Sequence, residues 1–212
     1  DLLLSHKYPF FSEKGYKLTK SYTSARTYVG LDTYAAYKDF GESTWKIGYG
    51  SEQLNGHYLN SKDKATQKDI DKQFYLDLKE FSNKLKDYVF VKLNNNRKAA
   101  LLSFAHSVGI QSFKSCKLLD LINSYSSKRK IIKEWSPYIN TYWMSGGDRM
   151  IERRRVELDM YFAADKEIPT FYQHNCHTKV CLLNLAETYN GTANQIKGIE
   201  YLEEKFKQLD PS

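Results

Sequence analysis

The stretch Tyr34–Ser51 constrains the fold of this chain more than any other part of it. Two short runs rich in β-forming residues, Tyr34–Tyr37 and Thr44–Tyr49, flank a polar turn at Asp39–Ser43 that contains a glycine. This pattern predicts a β-hairpin with the carboxylate of Asp39 at its bend. An exposed acid on a small hairpin is common in proteins, so the pattern alone does not assign a function.

The segments on either side of this hairpin carry weaker signals. Before it, Pro9 can open a short helix at its first turn and Gly15 can end it, which would place Glu13 near the C-terminal end of that helix. Ser21–Leu31 is rich in Thr, Ser and Tyr and is typical of strand or loop. After the hairpin, Glu52–Lys64 is polar and is predicted to be a loop with room for one more short strand.

Apolar periodicity predicts that the chain after residue 64 is mainly helical. Apolar residues recur every three or four positions from Ala65 to Val89, as expected of an amphipathic helix. Lys98–Val108 is apolar nearly all round, so it is predicted to be a central buried helix with Gly109 at its end. Further helices are predicted at Phe113–Asn123, at Ser127–Trp135 before a break at Pro137, at Met150–Phe162 with Asp148 as its cap, and at Ile196–Leu209.

The charge of the chain narrows the class of partner. A net charge of +7 favours a polyanion, which could be nucleic acid, an anionic membrane or an anionic cell wall. No nucleic-acid-binding motif accompanies the charge, and the sequence has no apolar run of about eighteen residues that could cross a membrane. Three cysteines are too few for a disulfide scaffold in a chain of this length.

One cluster near the C-terminus superficially resembles a metal site. It consists of His174, Cys176, His177 and Cys181. Because its spacing lacks a second pair of ligands, the sequence predicts neither a metal nor any other cofactor. A local disulfide between Cys176 and Cys181 is an alternative that the sequence leaves open.

The hairpin sequence resembles that of the phage-type lysozymes, the glycoside hydrolases that include the endolysins of tailed phages. Their pattern runs A-Y-x-D, then G, then T-I-G-Y-G-H, and Ala36–Asp39, Gly41 and Lys46–Ser51 stand in those places. The resemblance continues in order through Leu93–Ala105 (L-x-x-x-Q-x-x-A-L-V-S-F), Ser107–Gly109 (N-V-G), Phe113–Leu119 (F-x-x-S-T-L-L) and Met150–Glu157 (G-L-x-x-R-R-x-x-E).

The resemblance implies an α+β fold with two lobes, a small β-hairpin lobe and a mainly helical lobe, and a substrate cleft between them. The lysozyme-like domain is predicted at residues 1–162, with its β-rich part at about 16–60 and its helical lobe at about 65–162. Residues 163–212 fall outside the resemblance and are predicted to form a partly helical C-terminal extension. The arginines of Arg153–Arg155 are expected to form a salt bridge within the helical lobe.

The resemblance also implies a chemistry, the cleavage of a β-1,4 glycosidic bond by a general acid and a second carboxylate. Asp39 stands in the position of the second carboxylate. The family's acid is a Glu followed by Gly at the end of the first helix, and direct alignment puts Val29–Gly30 there, which cannot donate a proton. Glu13 is the predicted acid if about fifteen residues, Tyr16–Gly30, are inserted before the hairpin, because such an insertion costs little. Glu42 is another candidate.

Four further residues are predicted to line the substrate cleft: Thr44, Lys46, His106 and Cys116. Lys46 replaces a threonine that assists the water in the family, unless Thr44 takes that part. Lys46 would lower the pKa of nearby carboxyls or bind an acidic group of the substrate. His106 could touch sugar or stand in the cleft wall without chemistry, and Cys116 is expected to be a small buried replacement for serine.

Two functions follow from these expectations. The first is a muramidase that cleaves peptidoglycan between N-acetylmuramic acid and N-acetylglucosamine, for phage lysis or for opening the wall at infection. The second is a catalytically silent lysozyme-fold component of a virion, which binds the cell wall or other virion proteins, the latter through the C-terminal extension. Neither requires nucleic acid or a membrane span, and the sequence does not choose between the host cytoplasm and the virion as its location.

Overall fold

A computed structural model of the protein describes residues 8–143 and 148–163, and the predicted cluster at residues 174–181, the helix at 196–209 and the extension as a whole lie outside them. Helices and strands follow one another in the order α1 (Glu13–Ser21), β1 (Tyr28–Gly30), β2 (Thr33–Ala35), β3 (Gln53–Leu54), β4 (His57–Tyr58), β5 (Lys64–Thr66), α2 (Gln67–Leu85), α3 (Asn95–Val108), α4 (Ile110–Lys114), α5 (Lys117–Asn123), α6 (Lys128–Trp143) and α7 (Asp148–Phe162). The fold is therefore α+β, with a small β lobe followed by a helical lobe, as predicted.

Two small antiparallel sheets build the β lobe. Strands β1, β2 and β5 form one in that order, and β3 pairs with β4 in the other. The predicted hairpin closes at Tyr37 and Lys46, whose backbone N–H groups each donate to the other's carbonyl oxygen at 2.8 Å. Upstream of Tyr37 the chain pairs elsewhere, because β2 lies between β1 and β5. The predicted bend carries Asp39, whose carbonyl accepts from the backbone N–H of Glu42.

Gly48 lets the hairpin lie directly against α2. Its φ is +56°, and a Cβ at this position would lie 2.7 Å from the Cβ of Ile70. Two carbon atoms that are not bonded to each other cannot approach so closely. Ile70 belongs to a small core of the β lobe that also includes Ile47, Leu54, Leu59 and Ala65. The close approach that a glycine permits therefore fixes the hairpin to the first helix of the other lobe.

The helices predicted at Ala65–Val89 and Lys98–Val108 are confirmed, with changes of up to four residues at their ends. A capping box sets the start of α2, because the side chains of Thr66 and Asp69 each accept from the other's backbone N–H. Asn94 caps α3, and Gly109 ends it with a φ of +83°. As predicted, α3 is the central helix, since Leu101, Leu102 and the residues around them are fully buried.

The prediction that Pro137 breaks a helix was wrong. Pro137 lies inside α6, which runs on to Trp143. Trp135 and Ile139, on either side of the proline, are buried in the main core. Their burial compensates for the backbone hydrogen bond that a proline cannot make. The predicted single helix at residues 113–123 is instead two helices, α4 and α5, which meet at Ser115 and Cys116.

The first helix also differs from its prediction, because α1 begins where it was expected to end. Ser12 caps it by accepting from the backbone N–H of Gly15. Gly15 lies inside the helix, where a Cβ would stand 3.2 Å from Leu102 and 3.3 Å from Ala99. This glycine therefore allows α1 to pack closely on α3 and does not terminate it. As a consequence, Glu13 lies in the first turn of α1 and not near its C-terminal end.

A buried charge network joins α7 to α3. Glu157 is fully buried and accepts from Arg153, Arg154 and the hydroxyl of Ser103. Arg153 also donates to the carbonyl of Ser103 at 2.7 Å. The salt bridge expected of the arginine run is thus present, and it is made within the core of the helical lobe. Removing one partner of such a pair leaves an uncompensated buried charge.

Candidate functional site

Four charged side chains meet at the bend of the hairpin. One carboxylate oxygen of Asp39, Oδ1, accepts from Nη1 of Arg26 at 2.5 Å, and the other, Oδ2, accepts from Nζ of Lys46 at 2.9 Å. The same Lys46 nitrogen lies 2.5 Å from Oε2 of Glu42. We call these four residues the Asp39 cluster. Two cations and two carboxylates make it neutral overall, while Asp39 alone is in contact with both cations.

These contacts fix the charge of Asp39. Hydrogen bonds from Arg26, and next from Lys46, lower the pKa of the Asp39 carboxyl. Hydrogen bonds to Glu42 and then Asp39 raise the pKa of Lys46. Asp39 is therefore a carboxylate throughout the physiological pH range. It can stabilise positive charge or orient a water molecule, but it has no proton to give.

Arg26 is held in place by both its backbone and its side chain. Its backbone N–H donates to the carbonyl of Gly48 at 2.9 Å, and its guanidinium lies 4.2 Å from the centre of the Tyr37 ring. Sequence reasoning did not identify Arg26, because it lies thirteen positions from Asp39 in a segment whose pattern indicates only strand or loop. The pairing follows from how the chain folds back on the hairpin, and local sequence does not record it.

A second polar cluster joins α1, the hairpin and α2. Asp71 accepts from Nζ of Lys20 at 2.7 Å, from the hydroxyl of Tyr49 at 2.9 Å and from Nε2 of Gln67 at 2.7 Å. Burial would raise the pKa of Asp71, but the hydrogen bonds from Lys20, Tyr49 and Gln67 together lower it. This cluster anchors the last turn of α1 beside the residues that lead to Arg26.

Glu13 lies away from that end of α1. Its side chain is 63% exposed, and its ion-pair partner is Lys17, 3.5 Å away on the same helix. Nine helical residues separate the two ends of α1 by about 12 Å, since each residue advances the helix by about 1.5 Å. No described contact joins Glu13 to any member of the Asp39 cluster.

The segment that follows α1 has no carboxyl group. It reads Tyr-Thr-Ser-Ala-Arg-Thr over residues 22–27. Arg149 of α7 contacts this segment, donating to Oγ of Ser24 at 2.9 Å and to the carbonyl of Ser21 at 2.7 Å. A cation and two hydroxyl-bearing residues thus stand at the end of the first helix, where the resemblance leads one to expect an acid.

Of the four residues predicted to line the cleft, Lys46 belongs to the Asp39 cluster and Thr44 lies half-buried two positions before it. The structure does not bring the other two to the cluster. His106 packs edge-on between the rings of Phe74 and Phe81, with centroids 5.6 and 5.5 Å away. Cys116 is buried in the main core, as expected, and burial raises the pKa of its thiol.

The burial of His106 should make the free energy of unfolding depend on pH. Burial, and then the charge of Arg153, lower the pKa of His106 to about 4, whereas an unfolded chain takes up its proton near pH 6.5. The neutral ring therefore stabilises the fold above pH 6.5, and this contribution is lost as the pH falls towards 4, by about 3 kcal/mol. In urea titrations, His106→Phe should remove this part of the loss between pH 7 and pH 4. The exposed-site control His57→Phe should retain it, and equal losses in both variants would contradict the assignment.

Comparison with known proteins supplies a family and a fold. The profile of a family described as phage lysozyme matches residues 28–157, and a comparison with curated proteins gives no match. Among solved structures, the endolysin from Escherichia coli O157:H7 phage FAHEc1 is 21% identical with a TM-score of 0.53, covering 71% of this chain and 92% of its own. The muramidase domain of SpmX from Asticaccaulis excentricus is 23% identical with a TM-score of 0.53, covering 72% and 97%. A mutant of P22 lysozyme is 21% identical with a TM-score of 0.54, covering 72% and 98%.

The family match does not include α1 or the segment that follows it. It begins at residue 28, after α1 and after the segment that Arg149 contacts. It includes Asp39, Lys46 and the arginines of α7. No described helix is long and apolar enough to cross a membrane, and residues 8–143 and 148–163 contain no group of three His, Cys, Asp or Glu side chains arranged to hold a metal.

Proposed function

Because the chain belongs to the phage lysozyme family, we propose that it acts on peptidoglycan as a muramidase. The bond would be the β-1,4 linkage between N-acetylmuramic acid and N-acetylglucosamine, and the setting phage lysis or the opening of the wall at infection. The observation that carries the proposal is Asp39, an ionised carboxylate at the bend of the family's hairpin. The net charge of +7 would hold the protein to an anionic wall.

Asp39 suits one of the two roles that glycoside hydrolysis needs. The transition state carries positive charge at the anomeric carbon. A nearby carboxylate can stabilise that charge, or it can orient the water molecule that attacks this carbon. Arg26 and Lys46 keep Asp39 ionised and orient both of its oxygens. The two cations also partly neutralise the carboxylate, so the negative potential that Asp39 presents to a substrate is weaker than that of an unpaired carboxylate.

Two carboxyls are proposed for the other role, that of proton donor. Glu13 is the donor that the sequence predicts. Glu42 is a member of the Asp39 cluster, because its Oε2 and Oδ2 of Asp39 contact the same ammonium group of Lys46. Those two oxygens are therefore at most about 5.4 Å apart, a limit that does not exceed the separation of about 5–5.5 Å between the carboxyls of retaining glycosidases. Glu42 could donate a proton only after its ion pair with Lys46 opens.

Substitution of these three carboxyls tests the reaction. In a turbidity assay on purified peptidoglycan, we expect lysis by the unmodified protein. We expect this lysis to be lost in Asp39→Asn, because the neutral amide no longer offers a negative charge to the anomeric carbon. The donor is whichever of Glu13→Gln and Glu42→Gln lowers the rate by about a hundredfold or more. Glu52→Gln, an exposed change in the β lobe, is the control and should leave the rate unchanged. Lysis that survives Asp39→Asn would reject this reaction at this site.

A second candidate function is favoured by the segment after α1. Residues 22–27 offer no carboxyl, and Arg149 contacts Ser21 and Ser24 there. In this case the groove binds the glycan strand without turnover, as a structural or wall-binding component of a virion. Contacts of residues 163–212 with other virion proteins would belong to the same function.

The second candidate can be tested by restoring the acid. Thr23 is the first residue after the helix cap, and its hydroxyl bonds back to the carbonyl of Thr19. If acid is all that the site lacks, the unmodified protein should co-sediment with peptidoglycan sacculi without clearing them. Thr23→Glu should then clear them, because it places a carboxyl at the end of α1, whereas Thr23→Gln should not.

These outcomes separate the two candidates. Clearing by the unmodified protein rejects the silent function. Binding without clearing, in every variant including Thr23→Glu, rejects the muramidase and shows that more than the acid is missing. A protein that neither binds sacculi nor clears them would contradict both.

A further inference from the structure

A cavity in the helical lobe is separate from the Asp39 cluster. Its volume is about 330 Å³, and it lies where the loop before α3, the end of α5, the start of α6 and the end of α7 meet. Leu93, Ile122 and Ile131 give it an apolar lining, while Arg97, Tyr125 and Lys128 bring polar groups to it. A small apolar cavity with a few polar groups is the usual form of a binding site.

Two cations at this cavity have no acidic partner within residues 8–143 and 148–163. The guanidinium of Arg97 lies 5.2 Å from the centre of the Tyr161 ring, and Nζ of Lys128 lies 5.0 Å from that of Phe162. Among the described residues, no carboxylate lies within ion-pair distance of either cation. Tyr125 adds an exposed aromatic side chain beside them. A ligand that fits must therefore offer both apolar groups and negative charge.

The chain itself carries a segment of that chemistry. Residues 199–206 read Ile-Glu-Tyr-Leu-Glu-Glu-Lys-Phe. Ile199, Leu202 and Phe206 are spaced by three and four positions, and Glu200, Glu203 and Glu204 stand between them. In a helix, which the sequence predicts outside the described residues, the three apolar residues would share one face with Glu203 at its border, while Glu200 and Glu204 would lie away from that face. We propose that the cavity binds this segment of the same chain, with its apolar residues inside and Glu203 paired with Arg97 and Lys128.

The place where the described chain ends supports this occupant. Its last residue is Ala163, directly after Phe162, which lines the cavity. Thirty-six positions separate Ala163 from Ile199, which is enough chain for the segment to turn back to a cavity beside Ala163. Covalent linkage also gives the segment an effective concentration on the order of millimolar, so a weak contact is enough to fill the cavity.

The test measures amide hydrogen exchange of residues 199–206 in the full chain. We expect these amides to be protected in the unmodified protein, and Lys128→Glu to increase their exchange about tenfold, because repulsion replaces attraction. Lys130→Glu is the matched control, since it reverses an equally exposed charge on α6 that does not line the cavity. It should leave the exchange unchanged.

A charge swap makes the assignment specific. Combining Lys128→Glu with Glu203→Lys should restore protection, because the pair is formed again with its signs exchanged. Protection of α3 amides in every variant shows that the lobe is still folded. The proposal is overturned if residues 199–206 are unprotected in the unmodified protein, or if Lys128→Glu does not affect them. It is also overturned if their protection disappears on dilution, which would assign the cavity to a second copy of the chain.

Discussion

The charge pairing around Asp39 is the interaction on which the site depends. Arg26 and Lys46 each contact one oxygen of the carboxylate, and both cations are held by backbone pairs of the hairpin, to Gly48 and to Tyr37. The orientation of Asp39 is therefore a property of the folded β lobe and not of a free side chain. The same pairing sets its chemistry, because a carboxylate with two cationic partners stays ionised and cannot act as an acid.

A second set of contacts, centred on Asp71, fixes the end of α1. Lys20, Tyr49 and Gln67 converge on Asp71, so the end of α1 is fixed against both the hairpin and α2. The residues that follow α1 carry hydroxyl groups, and Arg149 contacts them. The hairpin of this member of the phage lysozyme family thus carries an ionised carboxylate, whereas residues 22–27 after α1 carry no carboxyl group.

Local sequence patterns predicted the elements whose causes are local. The apolar period of α2, the uniform apolar character of α3 and the glycine after it all acted as expected. The predictions for Gly15 and Pro137 were wrong because the structure at both positions depends on packing against residues distant in sequence. Gly15 is a packing residue because α3 lies against it, and Pro137 is tolerated because Trp135 and Ile139 are buried on either side. Asp39 could be found from its motif, whereas Arg26 could not, since only the folded β lobe brings it within 2.5 Å of that carboxylate.

The ionisation of Asp39 is the most direct measure of this account. It can be followed by the carbon chemical shift of the Asp39 carboxyl as the pH is lowered, in the unmodified protein and in Arg26→Gln. Because Arg26 donates to the carboxylate, we expect a pKa below the usual range of an aspartate in the first, and a clear rise in the second. An ordinary pKa for Asp39, or one that Arg26→Gln leaves unchanged, would contradict it.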